Sequence, residues 1–310
     1  MEWDFQSVAV VGSGAIGLYY GGRLAEAGMN VKFLVRSDYD QLSNCGLAVA
    51  SIAGDFHLKN ISVFKNPAEI GPVDLVIVAW KATANHALAA VLPPLMHENT
   101  RVLTLQNGLG NCEDVAEVVG AARVYGGLCF VCINRIAPGT IRHTAGGRMT
   151  IGAFDNMRCG KADAIARRFN AAKIPATAVD DLAKAQWEKL IWNIPFNGLS
   201  VAEGGVTTDV LLANPVIETE IRTLMREIIA AAAAQEILLD QDLIDSNIAR
   251  TRPMGPYQPS TMIDFIEGRE LELDPIWEEP FRRAKAAGVK MPALENLLRR
   301  IKTRLKERRS

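Results

Sequence analysis

Apolar residues fall in short unbroken runs in the first half of the chain and at helical spacing in the second. Ser7–Val11 and residues 31–35, 73–79 and 102–105 are too short for helices and show no polar alternation, so they read as strands buried on both faces. Residues 15–27, which stop at Gly28, and residues 84–92 carry the helical period between them. Such β-α-β alternation predicts a parallel, doubly wound sheet with helices on both faces. Residues 125–133, 140–143 and 149–151, with Pro138-Gly139 and Gly146-Gly147 as turns, read as antiparallel strands added to its edge. From Asp181 onward only helical patterns remain, over 181–203, 215–239, 240–250, 260–269, 275–288 and 292–304. Asn214-Pro215 supplies an N-cap with proline at the first helical position, and Asp180-Asp181 can cap the helix that follows. Two domains are expected, a sheet domain over residues 1–180 and a helical one over 181–310.

Composition changes this picture little. The 310 residues are 49% hydrophobic and 22% charged with a formal net charge of -1, as in an ordinary globular protein, so bulk charge points to neither nucleic acid nor an anionic membrane. The basic run from Arg299 to Arg309 reads as a solvated helix end. Acids at Glu2 and Asp4 replace the cations of a secretory signal, and the apolar run at 228–234 is far short of the ~20 residues of a membrane span. Five cysteines, an odd set at 45, 112, 129, 132 and 159, suit reduced thiols, and a cytoplasmic location is expected. Cys129 and Cys132 form a C-x-x-C inside an apolar strand, and the four histidines lack metal-ligand spacing, so no metal is expected.

The first strand runs into Gly12-Ser13-Gly14-Ala15-Ile16-Gly17 and then a helix, which is the context in which a G-x-G-x-x-G loop binds a dinucleotide. Gly12 permits the tight turn, Gly14 lets backbone approach the pyrophosphate, Gly17 lets helix and strand pack closely, and the helix N-terminus offers amides to the phosphates. At the end of the second strand, nineteen positions beyond Gly17, stands Arg36. An arginine there accommodates a 2′-phosphate where an acid would bind a ribose hydroxyl, so NADP(H) is favoured. The competing reading makes Arg36 a solvated loop residue and lets Asp38 serve NAD. Lys81 and Asn107 follow the third and fourth buried strands, at the sheet edge where ligands sit, although by type alone they are a surface lysine and a turn asparagine.

In the helical half, Lys189, Asn193 and Asn197 recur every fourth position on a helix whose other residues are mostly large and apolar. Polar groups aligned along a buried face need partners, from a ligand or from a neighbouring helix, because each one left unpaired costs about 1–3 kcal/mol. Pro195 inside the stripe is expected to kink that helix. A second polar group, Ser260 to Asp264 with Glu270 and Glu272, reads alone as a capped helix and an exposed turn.

Taken in order, these residues resemble the ketopantoate reductase family over almost the whole chain. The marks are the Gly12–Gly17 loop with Arg36, Ala79-Trp80-Lys81-Ala82, Gln106-Asn107-Gly108, Pro138-Gly139 through His143 to Gly147, Trp187-x-Lys189 with Asn193 and Asn197, Ser260-Thr261-Met262-x-Asp264, and Gly268-Arg269-x-x-Glu272. The resemblance implies a Rossmann-type sheet domain followed by an all-helical domain similar to that of 6-phosphogluconate dehydrogenase. It implies NADPH-dependent reduction of 2-dehydropantoate to pantoate for pantothenate biosynthesis. By the same resemblance Lys189 is the general acid, Asn193 and Asn197 hold substrate, Ser260 binds its carboxylate end, and Glu272 lies near substrate and cofactor. Asn107 touches both ligands, Lys81 the cofactor and Arg36 the 2′-phosphate. The small 2-oxo acid is the expected partner, and a homodimer is left open. Three departures bear on substrate identity: Gly198 follows Asn197 where the family often has proline, and Thr207 or Thr208, and Tyr257, stand where some members carry asparagines. Another small branched 2-oxo acid, or an NADPH-binding protein without turnover, are the alternatives.

Overall fold

The computed structural model of the chain describes residues 4–156 and 160–308, so Cys159 and Arg309 lie outside the described residues. It forms two compact units, one from residues up to 107 with 111–182, the other from 108–110 with 183 onward.

Ten strands build the first unit: β1 (Ser7–Val11), β2 (Asn30–Leu34), β3 (Leu47–Ser51), β4 (Phe56–Leu58), β5 (Ser62–Phe64), β6 (Leu75–Val78), β7 (Arg101–Thr104), β8 (Val124–Ala137), β9 (Thr140–Ala153) and β10 (Ala176–Val179). They lie in the order β4-β3-β9-β8-β7-β6-β1-β2-β5, with β10 also on β9. The six strands from β5 to β8 are all parallel, and in chain order they read 3-2-1-4-5-6, the dinucleotide-binding arrangement. Four-residue β6 is wholly buried, as its continuous Leu-Val-Ile-Val run requires of a strand covered on both faces. Helices α1 (Ala15–Glu26), α2 (Tyr39–Cys45), α3 (Pro67–Ile70), α4 (Leu88–Val91), α5 (Asn111–Val119) and α6 (Lys161–Ala171) connect the strands. The helix expected over 84–92 is a 3₁₀ stretch at Ala82–Ala87 followed by α4.

At the antiparallel edge the expectation of three short strands is corrected. β8 and β9 are fourteen residues each and run as one long hairpin. Gly146-Gly147 is no turn but a bulge inside β9, where the register shifts between Phe130 and Val131. Both glycines have positive φ (71° and 112°), and a Cβ on Gly146 would stand 2.4 Å from the Phe130 carbonyl oxygen. Only Val124–Gly126 of β8 pair with parallel β7, and Arg135, nine residues farther along the strand, pairs with Ile141 of β9.

The second unit contains α7 (Leu182–Ala202), α8 (Thr208–Ala213), α9 (Pro215–Ala233), α10 (Leu243–Thr251), α11 (Ser260–Ile266), α12 (Glu279–Ala286) and α13 (Pro292–Glu307). Asn214 caps α9 through a 3.0 Å bond from the Val216 amide, as the Asn-Pro pair predicts. Trp187, Ile191, Ile194 and Phe196 of α7 pack with Trp277 and the apolar faces of α9 and α13 into one core. Leu109 joins that core and donates its amide to Pro275 O at 2.9 Å. Gly108 allows the approach, since its φ is 89° and a Cβ would meet Pro275 O at 2.1 Å. The basic C-terminal run is more than a solvated end: Arg300 pairs with Glu203 and Glu220, Lys302 with Glu278, and Arg304 donates to Ala202 O. Among the described residues no helix is long and apolar enough to cross a membrane, and Cys45, Cys112, Cys129 and Cys132 are free thiols.

Candidate active site

The glycine loop follows β1, and each glycine in it has a separate physical reason. Gly12 has φ 113°, and a Cβ there would lie 2.6 Å from the backbone nitrogen of Trp80, which packs beside it at the end of β6. A Cβ on Gly17 would meet Gly12 O at 2.1 Å, so this glycine lets α1 close on the loop. Gly14 is different. Its backbone is ordinary (φ -72°, ψ 178°) and a Cβ would find nothing nearer than Ala79 O at 3.9 Å. The fold therefore makes no demand for glycine at 14, and the exposed Cα leaves room for a group from outside the chain. The first intrahelical amide is that of Leu18, bonded to Gly14 O at 3.0 Å, so the amides of Ala15, Ile16 and Gly17 lie ahead of the ladder. Neither a capping side chain nor an acid in the first turn takes them up. Half-buried Ser13 completes a cradle that fits a pyrophosphate.

Beyond β2, Arg36 is exposed. Asp38, the acid of the competing NAD reading, is 3% exposed and paired with Arg135 at 2.6 Å.

Lys81 and Asn107 are half-buried and stand after β6 and β7, where a residue missed by the sequence reading ties their loops together. Asn85 makes all four hydrogen bonds an amide side chain can make. Its oxygen accepts from Trp80 Nε1 at 3.1 Å and Gln106 Nε2 at 2.7 Å. Its nitrogen donates to Asn111 Oδ1 at 3.1 Å and Asp114 Oδ2 at 2.7 Å. Thr104 orients Gln106 from one side (2.8 Å), and Asn111 returns a bond to the Asn107 carbonyl at 2.9 Å. The donors run in one direction from Thr104 to Asn107, which fixes every amide orientation in the chain of bonds. A polar residue four positions after Lys81 in a turn carries no sequence signal of such a role.

In the helical unit the predicted stripe exists. Helix α7 continues through Pro195, and Lys189, Asn193 and Asn197 share one face. Lys189 is half-buried, Asn193 7% exposed and Asn197 3%. Asn197 is held on both sides, donating to Asn193 O at 3.0 Å and accepting from the Thr261 amide at 3.2 Å. It thus satisfies a donor at the start of α11 and anchors the turn that presents Ser260. Asn193, in contrast, has no hydrogen-bond partner for its side chain among the described residues, although it is nearly buried. The stripe divides accordingly: Asn197 is engaged by hydrogen bonds within the helical unit, whereas the Asn193 side chain makes none among the described residues. Ser260 is exposed at the first position of α11 and does not cap it. Glu272 is half-buried just before the π-helical turn Asp274–Glu278, which Trp277 locks by donating to Ile194 O at 3.0 Å. Two departures from the family pattern meet each other, since the Thr208 amide donates to Tyr257 O at 3.1 Å. The Tyr257 ring lies 5.9 Å from that of Trp192, which stacks on Phe196.

Comparison with known proteins gives a consistent answer. The family profile for Ketopantoate reductase PanE/ApbA matches residues 8–156, and that for its C-terminal part matches residues 181–305. A 2-dehydropantoate 2-reductase of Nostoc sp. is 38% identical, covering 95% of this chain and 93% of its own length. The crystal structure of 2-dehydropantoate 2-reductase from Geobacter metallireducens GS-15 is 41% identical with a TM-score of 0.93, covering 96% of this chain and 99% of its own. That from Methylococcus capsulatus is 31% identical with a TM-score of 0.90, covering 98% of each chain. The chain belongs to the ketopantoate reductase family.

Proposed function

We propose that this chain is a cytoplasmic NADPH-dependent reductase that converts the ketone of 2-dehydropantoate to the hydroxyl of pantoate. The observation that carries the reading is the face of α7: a lysine and a nearly buried, unpartnered amide, Lys189 and Asn193, on a helix otherwise packed into an apolar core. Residues 1–180 are assigned to the cofactor and 181–310 to catalysis and substrate. The loop Gly12–Gly17 with Lys81 and Asn107 holds the dinucleotide, and Arg36 meets its 2′-phosphate. NADPH, when bound, supplies the hydride. Asn193 and Ser260 orient the 2-oxo acid, with Ser260 toward its carboxylate, while Asn197 keeps Ser260 in place. As negative charge gathers on the carbonyl oxygen, Lys189 Nζ donates the proton that neutralises it, and Glu272 steadies the reacting groups.

A second reading, another small 2-oxo acid, draws on the aromatic cluster of Trp192, Phe196 and Tyr257, the last of which stands where some family members carry an asparagine. Steady-state NADPH oxidation against branched, linear and aromatic 2-oxo acids separates the two. Ketopantoate is expected to give the highest kcat/KM of the panel. A clear preference for an aromatic 2-oxo acid would transfer the assignment to the second reading, and no turnover with any member would overturn both.

A further inference from the structure

An aspartate two residues beyond Arg36 is an unexpected neighbour for a 2′-phosphate. Acids at the end of this strand are what dinucleotide-binding sheets use to select the unphosphorylated ribose. Here Asp38 is the N-cap residue of α2, a position where aspartate ordinarily accepts an amide of its own helix, yet its side chain makes no such bond. Both carboxylate oxygens turn instead to Nη1 of Arg135, at 2.7 and 2.6 Å, and Oδ1 also accepts from Ser37 Oγ at 3.0 Å. The carboxylate is 3% exposed, while the arginine, on the extended part of β8, is 39% exposed. A residue ninety-seven positions away therefore overrides the local capping geometry.

We propose that Arg135 is a specificity-determining residue, which sequesters the Asp38 carboxylate and so leaves Arg36 as the charge that meets the ribose end of the cofactor. The inference rests on the reading of Arg36 as the 2′-phosphate ligand. Without Arg135 the carboxylate loses its partner and turns outward, where it repels a phosphate and accepts from a ribose hydroxyl.

The test compares kcat/KM for NADPH and for NADH in the full-length enzyme and in Arg135→Met, Asp38→Asn and the double variant. Arg135→Met is expected to lower the NADPH:NADH ratio by at least about tenfold, since juxtaposed like charges are strongly disfavoured. Asp38→Asn is expected to keep the wild-type ratio, and the double variant to regain it because the repelling charge is gone. A wild-type ratio in Arg135→Met would overturn the proposal. So would a double variant as impaired as Arg135→Met, which would mean that Arg135 meets the phosphate itself. If Arg135→Met does not fold, Arg135→Lys must show a smaller shift in the same direction, and its absence is equally decisive. Arg36→Ala, assayed alongside, separates the two levels: an unchanged ratio there removes the Arg36 reading, whereas a lost ratio with an unaffected Arg135→Met removes only this inference.

Discussion

Replacing Lys189 with alanine is expected to lower kcat and kcat/KM for the 2-oxo acid together, by about 10²- to 10⁴-fold, or roughly 3–5 kcal/mol of barrier. The size follows from where charge develops. The ground-state ketone oxygen carries little charge, and the oxygen of the nascent alcohol carries much of a full one, so a placed ammonium interacts most strongly in the transition state. An interaction of that kind lowers both constants when removed, whereas loss of uniform binding raises KM alone. Affinity for NADPH, followed by its fluorescence, should hardly change. The Lys189 side chain is only half-buried, unlike those of its neighbours Trp187, Leu190 and Ile191, so the variant is expected to fold, which a thermal melt run beside the assay checks. Near wild-type kcat in the variant would leave Glu272 or a water as the proton donor.

The second large effect is expected at Arg36. Arg36→Ala should reduce the preference for NADPH over NADH by about 10- to 150-fold, the value of one charge-assisted hydrogen bond to phosphate, while NADH turnover stays nearly constant. The side chain is exposed and no hydrogen bond or ion pair engages it among the described residues, so the substitution disturbs no packing. An unchanged preference would place the phosphate site elsewhere.

Much of the fold was legible because burial on both faces leaves an unmistakable mark. The runs at β1, β2, β6 and β7 have no polar alternation, and the glycine loop sits between a strand and a helix, so the parallel sheet and its ligand edge follow from pattern alone. The hairpin is not legible in the sequence because Gly146 and Gly147, which resemble a turn locally, are needed for a bulge whose partner strand fixes their geometry. β3, β4 and β10 are short, partly exposed strands, which periodicity does not separate from loops. In the site, the every-fourth spacing of Lys189, Asn193 and Asn197 reveals a polar face, but not that Asn197 accepts from the start of α11. That bond depends on a residue sixty-four positions away. Asn85 is bonded to residues twenty-one to twenty-nine positions away and Arg135 to one ninety-seven positions away, pairings that no local pattern in the sequence announces.

The central claim is direct reduction of the 2-oxo carbon of ketopantoate by NADPH, and isotope transfer tests it most directly. With NADPH deuterated at the transferable nicotinamide position, mass spectrometry of the product should find the deuterium at C2 of pantoate, with one cofactor oxidised for each pantoate formed. Pantoate without the label, or cofactor oxidation without pantoate, would contradict the account.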